Sequence, residues 1–315
     1  MNAVWLLMGL LMLAYIGSVL VGGRANRGLG LPSGVEYVVL GFVVGPKALG
    51  WLEGSALQIF DPFAHFALGW LMFVVGATYG VTGNRRVRAR RLVGGWIVAL
   101  LTGALVGAVV WLFLVTWSPA LAPRDRLLMA GGVGAVAAET TRHAVRWVVE
   151  RHGASGPVAE LIGEIAEGDD LVPLLATAVL FAFAPPAQLA TDVSRWALVG
   201  LTLGIGIVLG AMTAALLGRT FRIAETWTVL LGMALFAAGL SGRFGLATVT
   251  TMFALGLTLS TLSPHRGELA AMLAPTEQPV ILPALLLAGA HLDFKSLCGR
   301  PFVRGSHSFP PVLLR

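Results

Sequence analysis

The chain has 315 residues, 57% of them hydrophobic and only 12% charged, with a mean hydropathy of +0.82. That is the composition of a polytopic membrane protein and excludes an ordinary soluble domain. The net charge of +6 does not indicate nucleic-acid binding, because the arginines fall in short loops between apolar runs; the single cysteine, Cys298, excludes an intramolecular disulfide framework and a cysteine metal cluster.

About ten apolar runs are long enough to span a bilayer, over residues 3–22, 31–51, 62–81, 93–117, 127–148, 157–184, 194–217, 223–241, 245–262 and 276–293. The first has no basic residue before it and reads as a spanning helix rather than a cleaved signal peptide. Loops are short throughout, which predicts one all-α membrane domain over residues 1–294 and a short basic tail over 295–315. The loops after the first, third, fifth and seventh runs carry Arg24, Arg27, Arg85, Arg86, Arg88, Arg90, Arg91, Arg151, Arg219 and Arg222. The positive-inside rule puts those loops in the cytoplasm and the N-terminus outside. The tail, with Lys295, Arg300, Arg304 and Arg315, has the wrong sign for the outer side where a tenth span would leave it.

In the second run Pro32 suits a helix start and Gly45-Pro46 a helix end. Gly41 and Gly45 lie four apart and offer a face on which another helix can pack closely. The fifth run passes from small apolar residues into Glu139, Thr140, Thr141, Arg142 and His143, and then back to an apolar stretch. Either the helix is broken there and lines a cavity, or it ends near Ala138 and a cytoplasmic loop follows. Runs seven to nine carry little signal: Arg243 is expected at a helix end near water, and Glu225 and Trp227 at an interface. The tenth run contains Pro279 and Pro283 and is expected to be bent or to start late. His291, at its end, reads as a satisfied surface residue.

The sixth run carries the chemistry. Between Glu160 and Leu175, in a hydrophobic segment, stand five carboxylates: Glu160, Glu164, Glu167, Asp169 and Asp170. A charged side chain at the bilayer centre costs about 3 kcal/mol or more, so such residues are rare there and usually functional. Glu160, Glu164, Glu167 and Asp170 share one helix face by their spacing, and that face must meet protein or water. Two adjacent carboxylates in a low-dielectric site cannot both ionise cheaply and titrate as a unit, so protons and a hard monovalent cation compete for them near neutral pH. Threonine hydroxyls and the freed carbonyls of a broken helix would complete an oxygen cage. Glu160, Glu164 and Glu167 either line a cation-attracting funnel or form an ordinary solvated entry to the helix.

At these residues the chain resembles the bacterial monovalent cation:proton antiporters of the sodium/proton-exchanger superfamily. The stretch with Pro32, Gly41, Gly45 and Pro46 resembles the family's second helix. Thr140 and Thr141 take the Thr-Ser places of its Ala-Thr-Ser-Pro helix break, where Glu139 and Arg142 depart from the usual Ala and Pro. Asp169 and Asp170 take the two acidic places of its paired-aspartate motif, and Gly289 stands at a typical glycine of a later helix. The resemblance implies an inverted-repeat antiporter fold with crossing broken helices and alternating access. It implies a secondary transporter that exchanges Na+ or K+ for H+ across the cytoplasmic membrane, without a cofactor, in the lipid bilayer and as a homodimer. In it Asp170 is the essential ion and proton carrier and Asp169 its partner, with Thr140 and Thr141 beside them.

Family members usually have about thirteen helices, a cytoplasmic C-terminus and, in some, a basic partner for the aspartates. Here about ten runs are present and no intramembrane lysine, which leads us to expect a C-terminally truncated product whose residues 295–315 are not native family sequence; the alternative to the transporter reading is accordingly a truncated or degenerate, non-transporting membrane paralogue. The remote alternative is an intramembrane aspartyl protease. It fails on its motifs: Ala166 stands where that chemistry needs glycine, and the three tyrosines are followed by Ile16, Val38 and Gly80 rather than aspartate.

Overall fold

The computed structural model describes residues 35–52, 54–79, 81–82, 85–86, 89–119, 121–139, 151–169, 171–183, 194–218 and 223–292, with isolated positions between 5 and 12 and between 145 and 149. The helices are α1 (Val35–Val44), α2 (Gly54–Thr78), α3 (Ala89–Trp117), α4 (Pro123–Ala137), α5 (Pro157–Gly168), α6 (Leu171–Phe183), α7 (Arg195–Leu217), α8 (Ile223–Arg243), α9 (Thr248–Leu262), α10 (Arg266–Leu273) and α11 (Glu277–Ala290). The loop from α2 to α3 folds into a short antiparallel ladder, Val81 opposite Arg86 and Thr82 opposite Arg85.

Among the described residues, Leu57–Thr78, Val93–Trp117, Arg195–Leu217 and Ile223–Arg243 are single helices long and apolar enough to cross a bilayer. Several runs fold differently from the sequence expectation. The third starts at Gly54 rather than at residue 62, and keeps Pro62 within its third turn. The sixth is not one helix but two, α5 and α6. The tenth is preceded by α10 and a 3-10 turn at Ala274–Thr276, and the pair Arg266–Thr276 and Pro279–Ala290 is bent by 44°. The expected bend is therefore present, with a helix before it that the sequence did not suggest. The first run and the tail after residue 292 lie outside the described residues, apart from isolated helical positions in the first.

The bundle is built around α9. At 1.5 Å per residue its 15 residues reach only about 22 Å, short of the ~30 Å hydrocarbon core. Nine of them, from Thr250 to Ser260, are buried. Such a helix is satisfied by protein rather than lipid, and its neighbours approach through glycine. A Cβ on Gly76 of α2 would strike Phe253 O of α9, and one on Gly256 of α9 would strike Phe73 O of α2. On the other side, Gly206 and Gly210 of α7 lie against Thr251 O and Leu255 O. Small residues that let backbones touch drive helix association where lipid removes the hydrophobic incentive. The core around this crossing contains Trp70, Phe73, Leu230, Met252, Leu255, Leu259 and Leu269. Trp227, in the first turns of α8, is half-buried and stacks on Trp70 at 6.3 Å between ring centroids. Arg243 ends α8 and is exposed, as expected.

The glycine face of the second run is also a packing face, and its partner is α11. A Cβ on Gly41 would strike Leu286 O, one on Gly45 would lie 2.8 Å from Ala290 O, and one on Gly289 would strike Val38 O. Where α11 ends, His291 Nε2 lies 3.1 Å from Asp61 Oδ1 of α2, and its Nδ1 lies 2.8 Å from Leu287 O. The histidine is thus satisfied, by a partner the sequence did not indicate. At the end of α6, Arg124 and Arg195 both donate to Phe183 O, at 2.7 and 2.9 Å, placing two cations on the negative end of that helix.

Candidate functional site

The interruption between α5 and α6 has a local cause. Pro173 has no N–H, and its ring collides with the carbonyl four residues earlier, which is that of Asp169. The helical pattern shifts accordingly. Asp169 N–H still donates to Ile165 O at 3.1 Å, but Val172 N–H turns to Asp169 O at 3.1 Å, a three-residue spacing. Asp169 becomes the C-cap of α5 and α6 restarts at Leu171. The signal was legible in the motif GDDLVP, and reading the sixth run as one continuous helix overlooked it.

Asp169 has no exposed surface. Three helices close around the break. From α3, Gly95 brings backbone against backbone: a Cβ there would lie 2.6 Å from Ile165 O and 3.0 Å from Asp169 N. From the end of α2, the Tyr79 hydroxyl donates to Gly168 O at 3.1 Å and accepts from Trp96 Nε1–H of α3 at 3.2 Å. From α9, Thr250 donates its hydroxyl to Leu174 O at 2.8 Å, and Phe253 packs edge-on against Tyr79 with ring centroids 5.5 Å apart. Val75, Leu174 and Phe253 form the buried apolar wall behind them. The sequence did not single out Tyr79, Trp96, Gly95 or Thr250. Tyr79 and Gly168 are 89 residues apart and Thr250 and Leu174 are 76 apart, so no local pattern connects them.

The other expected site residues divide as follows. Glu160, in the first turn of α5, is exposed; Glu164 is half-buried; the side chain of Glu167 lies outside the described residues. Burial thus deepens along α5 toward Asp169. Asp170, Thr140 and Thr141 lie outside the described residues. What is described is the helix end before the threonines: α4 stops at Ala137, Ala138 N–H donates to Gly134 O at 3.0 Å, and Glu139 is exposed. A cavity of about 420 Å³ between α3, α4 and α6 is lined by Gly103, Gly107, Gly134, Ala138, Val172 and Ala176 among others. Its lining is apolar, so it offers no ligands to an ion.

A carboxylate buried at a helix break in an apolar bundle marks a candidate functional site. The family can be stated directly. The sodium/hydrogen exchanger transmembrane family model matches residues 11–314, and the chain belongs to that family. It is a multi-pass membrane transporter with cations and protons as substrates, not an enzyme, and the aspartyl-protease alternative falls. Its backbone is similar to that of the sodium proton antiporter MjNhaP1 from Methanocaldococcus jannaschii, solved at pH 8, with a TM-score of 0.68 at 17% identity, covering 94% of this chain and 73% of that one. At that identity the likeness speaks for the fold. No curated protein sequence matches the chain.

Proposed function

We propose that this chain exchanges Na+ or K+ for H+ across the cytoplasmic membrane, with the Asp169–Asp170 pair alternately holding the cation and the proton. Asp170 is the carrier and Asp169 its partner. The hydroxyls of Thr140 and Thr141 add oxygen ligands, and Glu160, Glu164 and Glu167 attract cations along the approach. The N-terminus faces outward, and the functional unit is a homodimer. The observation that carries this reading is the complete burial of Asp169 at the α5–α6 break. Protons and a monovalent cation can each neutralise a carboxylate there, and occupancy by one excludes the other.

The test is cation-dependent proton flux in proteoliposomes, with Na+, K+ or Li+ added against a preset pH gradient. Wild type is expected to move protons on cation addition, and Asp170→Asn to abolish the response. Equal flux from both would remove the aspartate from the mechanism. No flux from either would favour the second reading, a non-transporting paralogue.

A further inference from the structure

We infer that Tyr79 is a positioning residue for ion exchange, holding the peptide plane that carries Asp169; the inference rests on the function proposed above. In an uninterrupted helix Gly168 O would accept from Val172 N–H. Here Val172 N–H bonds to Asp169 O, which Pro173 cannot serve. The helix therefore leaves the Gly168 carbonyl needing another donor, and at membrane depth an unserved carbonyl costs several kcal/mol. The Tyr79 hydroxyl supplies that donor at 3.1 Å. The indole N–H of Trp96 can only donate, so it occupies the acceptor side of the same oxygen, at 3.2 Å, and leaves the tyrosine proton available to a carbonyl. The order of donation, Trp96 to Tyr79 to Gly168 O, is thus fixed by chemistry.

The consequence for the site follows from peptide planarity. Gly168 C=O and Asp169 N–H belong to one rigid plane. Tyr79 grips the oxygen end of that plane, and Ile165 O holds the N–H end at 3.1 Å. With both ends held, the position of the Asp169 Cα is set, and with it the point from which the carboxylate extends. The tyrosine ring cannot swing away easily, since Phe253 abuts it edge-on. Nor can α3 shift toward the break, because Gly95 is already at backbone contact. The relay therefore ties the geometry of Asp169 to the packing of α2, α3 and α9.

The experiment measures cation titrations and pH profiles of flux for wild type, Tyr79→Phe, Trp96→Phe and Asp170→Asn. Tyr79→Phe keeps the ring and its contact with Phe253 and removes only the hydroxyl. It is expected to weaken apparent cation affinity about three- to tenfold, the fold-change matching one net hydrogen bond, to displace the pH profile, and to leave maximal flux per folded protein within about twofold. Trp96→Phe is expected to shift the same quantities in the same direction by less. Wild-type affinity and pH profile in Tyr79→Phe would overturn the inference, as would a fall in maximal flux alone. If Tyr79→Phe does not fold, Trp96→Phe decides by the same readouts. The two failures are distinguishable: flux that survives in Asp170→Asn, or is missing in wild type, defeats the proposed function and this inference with it. An unshifted Tyr79→Phe beside an inactive Asp170→Asn defeats the inference alone.

Discussion

Gly76→Ala places one methyl group where α2 crosses α9, and the expected cost follows from what it would meet. The new Cβ strikes Phe253 O, with Leu257 N at 2.9 Å and Phe253 C at 3.1 Å. All three are backbone atoms, so no side chain can rotate aside, and the two helices must separate. Gly256 is the reciprocal position, where a Cβ strikes Phe73 O, with Ala77 N at 2.8 Å. Overpacking of this kind costs about 1–3 kcal/mol. At roughly 2–4 °C per kcal/mol for a sizeable chain, the melting midpoint of the detergent-solubilised protein should fall by several degrees. Fluorescence-detected size-exclusion after stepped heating measures it. Gly76→Ala combined with Gly256→Ala should cost less than the sum, because the first separation makes room for the second methyl. The control is Gly232→Ala, within α8 and with nothing inside 4 Å of its added Cβ. There alanine's helix propensity, worth up to about 1 kcal/mol, should leave the midpoint level or raise it. Equal midpoints for Gly76→Ala and Gly232→Ala would refute the close crossing of α2 and α9.

Three further outcomes are expected. Pro173→Ala restores an N–H opposite Asp169 O and favours a continuous α5–α6 helix; flux should fall while the melting midpoint holds or rises, and unchanged flux would show that the break is dispensable. Thr250→Val removes the hydroxyl that α9 gives to Leu174 O at 2.8 Å; the melting midpoint should drop by the equivalent of about 1 kcal/mol, and no drop would mean that this bond contributes nothing. Asp61→Ala removes the carboxylate that His291 Nε2 meets at 3.1 Å, in a contact whose two side chains are 30% and 29% exposed; solvent screening should hold the loss of stability below about 1 kcal/mol, and a larger drop in melting midpoint would show a contact more shielded than that.

The all-α membrane class was legible in the sequence because hydropathy is additive and local: an apolar run of sufficient length has no other stable environment. The acidic pair was legible for the converse reason, since carboxylates are costly in such a run and so stand out. Gly41 and Gly45 were legible as a packing face from their spacing on one helix. Their partner was not, because which backbone touches them is a long-range fact, and α11 lies more than two hundred residues on. The break at Asp169 was written locally in Pro173, but a continuous apolar run outweighed it in the reading.

The sequence by itself determined a membrane bundle, the place of its carboxylates and the faces on which helices can approach. Only the tertiary structure decided that the unremarkable ninth run forms the centre, with nine buried residues gripped by glycines from both sides. It also decided that Tyr79 serves Gly168 O across 89 residues and that His291 meets Asp61 across 230. The physical reason is the same in each case. Burial of apolar surface and backbone hydrogen bonding within a helix are set by neighbours in the chain, whereas the donor for a carbonyl that a proline has displaced must come from whatever helix the packing brings beside it.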